Sequence, residues 1–263
     1  MYAFTYDRPA SLAEAAKLVQ AGGQALAGGQ TMLASMKQRL MQPEKLVDLS
    51  RVSELSGVRK EGDQLVVGAM TKHCDVEQNA LVKQHIPALA ALAGGIGDRQ
   101  VRAMGTLGGS VANNDPAACY PSAVMALGAT IHTTTRKIAA DDFFLGMYAT
   151  ALQEGELITA VSFPIPKRAS YAKFKQGASR FAMVGVFVAD TAQGPRVAVT
   201  GAANGVFRHA GLEAALANKF APESVAGVSI DASGLNSDIH ASSEYRAQLI
   251  KVQTRRAVQE ALG

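Results

Sequence analysis

The chain has 263 residues, of which 48% are hydrophobic and 18% charged, with a formal net charge of +4. This length can bury a sizeable core as one large domain or two to three small ones, and the composition excludes a disordered polymer. Lys and Arg are scattered without a basic run, which argues against nucleic acid, and no uncharged apolar stretch reaches the ~18 residues of a membrane span.

The opening residues, Met1 to Asp7, lack the basic start and apolar core of a signal peptide, so a cytoplasmic location is expected. Ser11 and Glu14 then form a capping box for a helix whose apolar face is Leu12, Ala15, Ala16 and Val19. Gly22-Gly23 ends that helix. A short strand at 25–27 runs into Gly28-Gly29, and Leu33, Met36 and Leu40 recur at helical spacing, so this glycine turn opens a second helix. A strand at 45–49 completes a small βαβ-like unit over residues 1–55.

Residues 64–69 read as a strand and 88–93 as a small-residue helix closed by Gly94-Gly95. Residues 97–102 lead to a second glycine turn, Gly105-Thr106-Leu107-Gly108-Gly109-Ser110, which continues to Asn113-Asn114-Asp115-Pro116. Pro121 suits the first turn of a helix through Ala123, Val124 and Leu127. Residues 130–135 and 157–163 are β-rich, the latter stopping at the linker Pro164-Ile165-Pro166. Between them, Asp141-Asp142 reads as a helix or turn start, with Phe143 and Phe144 packed into the core. Three strands in series follow at 171–175, 183–189 and 197–200, then helices at 212–217 and 242–262. Strands followed by helices predict an α+β domain with a three-stranded antiparallel sheet.

Chemistry is hard to find in the side chains. His73, His85, His132, His209 and His240 have no metal-ligand spacing and read as structural. Cys74 and Cys119 form no C-x-x-C pair, and two cysteines alone hold neither an iron–sulfur cluster nor structural zinc, which take about four ligands. No catalytic signature is present, and neither glycine turn is a G-x-G-x-x-G or G-x-x-x-x-G-K-[ST] motif. Glycine does let the backbone take φ > 0 and lets a ligand approach N–H groups, and a helix start favours an anion such as a diphosphate. The Asn-Asn-Asp-Pro run reads either as a turn or as polar side chains suited to ribityl or ribose hydroxyls. Any chemistry would then belong to a bound cofactor.

Ala27-Gly28-Gly29-Gln30-Thr31 resembles the A-G-G-x-[ST] motif of the flavoprotein (medium) subunits of molybdenum hydroxylases. Residues 105–110 resemble their T-[IL]-G-G-[DNS] motif. This family includes the medium subunit of aerobic carbon-monoxide dehydrogenase and the flavin domain of xanthine dehydrogenase. The similarity extends over nearly the whole chain, including residues 4–14, 97–118, 140–146 and 173–175.

The resemblance implies an α+β, vanillyl-alcohol-oxidase or PCMH-type fold. FAD-binding subdomains would lie at 1–55 and 56–165, with a C-terminal domain at 166–263. By position, the N–H groups of Ala27, Gly28, Gly29, Gln30 and Thr31 would hold the FAD diphosphate, flanked by Gln24, Leu26 and Met32. Thr106, Gly108, Gly109 and Ser110 would bind from the opposite side, with polar contacts from Asn113 and Asp115. Ile96, Gly97, Leu157 and Ile158 would pack on the cofactor, and Lys175 and Phe181 would lie near the flavin ring. Cys119 stands where many relatives carry Asp; a thiol is the weaker hydrogen-bond partner, and Cys119 reads as a small buried residue. Position 30 is Gln, with no histidine for covalent attachment, so non-covalent FAD is expected.

The resemblance further implies an oxidoreductase subunit that needs no catalytic side chain or metal of its own. Electrons would pass from a small [2Fe-2S] subunit through FAD to an external acceptor. The molybdenum cofactor would sit on a large subunit, in a heterotrimer or a dimer of heterotrimers. Two alternatives stay open. One is a self-contained flavin oxidoreductase on the same fold, which would need its own proton donor and substrate-binding arginines near the flavin; Arg180 is the only arginine near that region by sequence. The other is a nucleotide-binding assembly module that has lost flavin.

Overall fold

The computed structural model describes all 263 residues, in three larger sheets that follow one another along the chain and one two-stranded hairpin. The first unit runs β1 (Thr5–Asp7), α1 (Leu12–Gln20), β2 (Gln24–Leu26), α2 (Met32–Lys37) and β3 (Lys45–Asp48). Its strands are parallel in the order β1-β3-β2, and helices make the crossovers that parallel strands require. The hydroxyl of Ser11 accepts from the Glu14 N–H, and the Glu14 carboxylate reaches back to the Ala10 N–H, so the capping box closes one residue further out. α2 is shorter than its periodicity suggested: it ends at Lys37, and Leu40 is exposed.

The second unit contains β4 (Val58–Glu61), β5 (Gln64–Gly68), α3 (His73–Gln78), α4 (Ala80–His85), α5 (Pro87–Gly94), α6 (Arg99–Met104), α7 (Leu107–Asn113) and α8 (Tyr120–Ala126). It continues with β6 (Thr130–Thr133), β7 (Lys137–Ala139), α9 (Ala140–Phe143), the hairpin β8 (Phe144–Gly146) and β9 (Ala149–Thr150), and β10 (Ile158–Pro164). The five-stranded sheet is antiparallel in the order β4-β5-β10-β6-β7. Phe143 is fully buried and meets Phe144 edge-to-face, as Asp141-Asp142 at a helix start implied.

The third unit has β11 (Arg168–Lys175), β12 (Ala182–Thr191), β13 (Gly194–Thr200), β14 (Phe207–Arg208), α10 (Ala210–Asn218) and α11 (Ser243–Leu262). Its sheet has four antiparallel strands, because the short β14, too brief for a sequence pattern, pairs with the end of β13. β12 is buried on both faces, which hides its alternation. Val184, Val186 and Val188 join the core under α10 and α11, whereas Phe187 and Ala189 join the core of the second unit. The buried Arg246 of α11 donates to the carbonyls of Met183 and Gly201 and pairs with Asp238, fastening that helix to its sheet. No helix is long and apolar enough to cross a membrane.

Candidate functional site

The three units surround one cavity of about 1180 Å³. That exceeds the roughly 300–1,000 Å³ of ordinary small-molecule sites, and suits a ligand of dinucleotide size. Its walls are residues 22–32, the stretch 105–119, the segment 152–158, and Lys173 with the hairpin tip 178–181.

The first wall supplies backbone donors. β2 ends at Leu26 and the chain turns through Gly29 at φ +69° before α2. The N–H groups of Ala27, Gly28, Gly29, Gln30 and Thr31 have no protein acceptor, although all five residues line the cavity. The Thr31 hydroxyl makes no capping bond to α2, and the Gln30 amide folds back onto the Gly28 carbonyl at 3.2 Å. Ala27, Gly28 and Gly29 are half-buried and Gln30 and Thr31 exposed, and five successive open donors on the cavity ahead of a helix offer a backbone site to an anion.

The second motif works differently from the sequence expectation. Gly108 and Gly109 form the first turn of α7, which Thr106 caps through a 3.1 Å bond from the Gly109 N–H to its hydroxyl. The N–H groups of Leu107, Gly108 and Ser110 go to the carbonyls of Thr71, Ala69 and Thr106. These glycines therefore permit close packing and offer no donors. A Cβ at Gly108 would meet Ala69 at 2.5 Å, and one at Gly109 would lie 3.3 Å from the Ala27 side chain. A Cβ at Gly28 would lie 2.1 Å from the Met104 carbonyl oxygen, so the two glycine pairs press their loops together. What remains for a ligand on this wall is the Thr106 N–H and the side chains of Ser110 and Asn113, none with a protein partner.

The Asn-Asn-Asp-Pro run divides between scaffold and site. Asn114 is buried in the left-handed region at φ +44°, and its amide donates to the carbonyls of Gly146 and Ala149 at 2.7 and 2.9 Å. Asp115 lines the cavity, but one oxygen accepts from the Ala117 N–H at 2.8 Å and the other from the Tyr148 hydroxyl at 3.3 Å.

Of the residues expected at the site, all but Lys175 line this cavity: Gln24, Leu26, Met32, Ile96, Gly97, Cys119, Leu157, Ile158 and Phe181 join the two motifs there. Lys175 is exposed outside it. The register of β11 against β12 shifts between Phe174 and Lys175, and the lysine on the cavity is Lys173. Its ammonium donates to the carbonyls of Gly95 at 2.6 Å and Arg180 at 3.2 Å, and lies 3.6 Å from the Cys119 sulfur.

The lining also includes residues not expected at the site, among them Tyr148, Glu156 and His73, the last read from sequence as structural. His73 is buried between Gly105 and the Tyr120 ring, and burial, aided by the Arg102 charge, holds its imidazole down at about 4. Burial pushes the Glu156 carboxyl up, yet hydrogen bonds from Arg136, Thr133, the Gln153 N–H and Thr135 win and hold it at about 2. Glu156 is thus an ionised anchor for the 152–158 wall, spent on protein donors. No group of three or more His, Cys, Asp or Glu residues could hold a metal ion.

Residues 2–166 match the family model described as the FAD binding domain in molybdopterin dehydrogenase. The chain is 34% identical to the carbon monoxide dehydrogenase medium chain of Afipia carboxidovorans, over 98% of this chain and 96% of that one. It is also 34% identical to the nicotine 6-hydroxylase medium subunit of Paenarthrobacter nicotinovorans, over 98% and 97%. Among solved structures, reconstituted CO dehydrogenase from Oligotropha carboxidovorans superposes with a TM-score of 0.91 at 31% identity, covering 99% of this chain and 98% of that one.

Proposed function

Because this chain belongs to the family of FAD-binding domains of molybdopterin dehydrogenases, we propose that it is the electron-transfer subunit of a heteromeric molybdenum hydroxylase or dehydrogenase. In this reading it relays electrons from a [2Fe-2S] subunit to an external acceptor, while a large subunit holds the molybdenum cofactor and the substrate. FAD would supply the electron-transfer chemistry. The chain's own work is to hold and orient it.

The observation that carries the proposal is the open row of donors from Ala27 to Thr31, clamped against the second glycine motif. These N–H groups would take the diphosphate; Ser110, Asn113 and the Thr106 N–H would take hydroxyls along the chain of the cofactor. Ile96, Leu157 and Ile158 give apolar cover, and Lys173 puts a cation at the cavity's far wall. The attachment is non-covalent, with Gln30 offering no nucleophile. We divide the chain at 1–55, 56–165 and 166–263, following its three larger sheets. We also assign the complex to the cytoplasm, in keeping with two free cysteines, Cys74 and Cys119.

The test is to purify the protein with its partners and denature it. Yellow protein that releases one FAD per chain supports the proposal; colourless protein counts against it.

A further inference from the structure

Lys173 joins three elements at the wall of the cavity. Gly95 follows the end of α5, Cys119 precedes α8, and Arg180 sits in the tip of the β11–β12 hairpin. The tip is held in an uncommon conformation, with Arg180 at φ +61°. The Lys173 ammonium grips its carbonyl at 3.2 Å while the Cys119 sulfur lies 3.6 Å from the same nitrogen. Cys119 is buried, at 6% exposure, but it and Lys173 meet on the wall of the cavity. The other cysteine, Cys74, bonds to the Asp75 carboxylate and has no amine within hydrogen-bond distance.

We propose that Cys119 and Lys173 form a peroxide-responsive cross-link that loosens the hairpin tip. The inference goes beyond the flavin reading and needs only that peroxide reach the wall where Cys119 and Lys173 meet. Hydrogen peroxide transfers one oxygen to the thiol sulfur; its O–O bond breaks, water leaves, and Cys119 becomes a sulfenic acid, oxidised by two electrons. The Lys173 amine, after giving one proton to solvent, attacks that sulfur. An N–S bond forms, the S–O bond breaks, and a second water leaves. The sum is one thiol, one ammonium and one peroxide giving one sulfenamide, two waters and one proton.

The product changes what holds the hairpin. An ammonium donates three N–H bonds with full charge, whereas the sulfenamide nitrogen is neutral and keeps one N–H. It therefore serves only one of the two carbonyls, and the other loses a charge-assisted bond. Thiol reductants attack the same sulfur and restore both side chains.

The experiment treats the purified complex with hydrogen peroxide at mildly alkaline pH, alkylates it under denaturing conditions and maps the peptides by mass. The expected product is one pair of peptides joined through Cys119 and Lys173, with the summed mass less two hydrogens. It disappears on dithiothreitol treatment and is absent from Cys119→Ser. In Lys173→Arg, Cys119 instead proceeds to sulfinic acid. Amide exchange across 176–181 rises on the order of tenfold in the cross-linked wild type, the weight of one hydrogen bond to a charged group. Full alkylation of Cys119 after peroxide, or sulfinic acid beside an unmodified Lys173 in the wild type, overturns the proposal.

Discussion

Gly28 faces the Met104 carbonyl so closely that a Cβ on residue 28 would lie 2.1 Å from that oxygen. The contact is backbone against backbone, so no side chain can swing aside. Gly28→Ala must therefore part the two loops. Overpacking of this kind costs about 1–3 kcal/mol, so FAD affinity should fall on the order of tenfold or more. Fluorescence titration of apoprotein measures it. Gly227→Ala, with open space around residue 227, should bind as the wild type does.

Two lysines two residues apart on β11 should behave differently. Lys173→Met removes the charged donor that joins Gly95 and Arg180, so the hairpin tip loosens and FAD is held less tightly. Lys175→Met changes an exposed residue outside the cavity and should leave FAD binding unaltered. Equal losses in both variants would contradict the assignment of Lys173 to the site.

Thr106 is asked to cap α7, not to hold phosphate. Thr106→Val keeps the shape but leaves the Gly109 N–H without its 3.1 Å partner. Loss of such a cap costs about 1 kcal/mol, or roughly 2–4 °C in Tm for a chain of this size. Thermal unfolding of the apoprotein measures that change without any ligand.

Acid should destabilise the fold in two windows. His73 is held down at about 4 by burial, against an ordinary value of 6.5. The unfolded chain therefore binds the extra proton first, and stability falls as pH drops from 6.5 towards 4, by on the order of 3 kcal/mol. Glu156, held at about 2 against an ordinary 4.5, contributes stability that is complete above 4.5 and lost as pH falls towards 2. His73→Phe should flatten the upper window and Glu156→Gln the lower one, read from urea unfolding at stepped pH.

Local signals were legible where one residue type has one physical use. The Ser11 cap, Pro121 in the first turn of α8 and the valine-rich strands of the third sheet follow from such uses. The two glycine motifs also identified the cavity from sequence. Their division of labour did not, because whether an N–H is free depends on a distant carbonyl: Ala69 and Thr71 consume the donors of α7. Lys173 and Lys175 share a strand face by alternation alone, and only the register shift against β12 separates them. His73 and Glu156 are lone titratable residues whose roles come from neighbours remote in the chain, Tyr120 and Arg136 among them.

The central claim is that the first glycine motif holds the cofactor diphosphate by its backbone, while the glycines of the second, Gly108 and Gly109, only let the walls close. Residue-resolved amide exchange of apoprotein, before and after adding FAD, tests this directly. Protection should appear across residues 27–31, with residues 107–110 already protected and little changed. FAD bound with 27–31 still exchanging freely, or with new protection confined to 107–110, would contradict it.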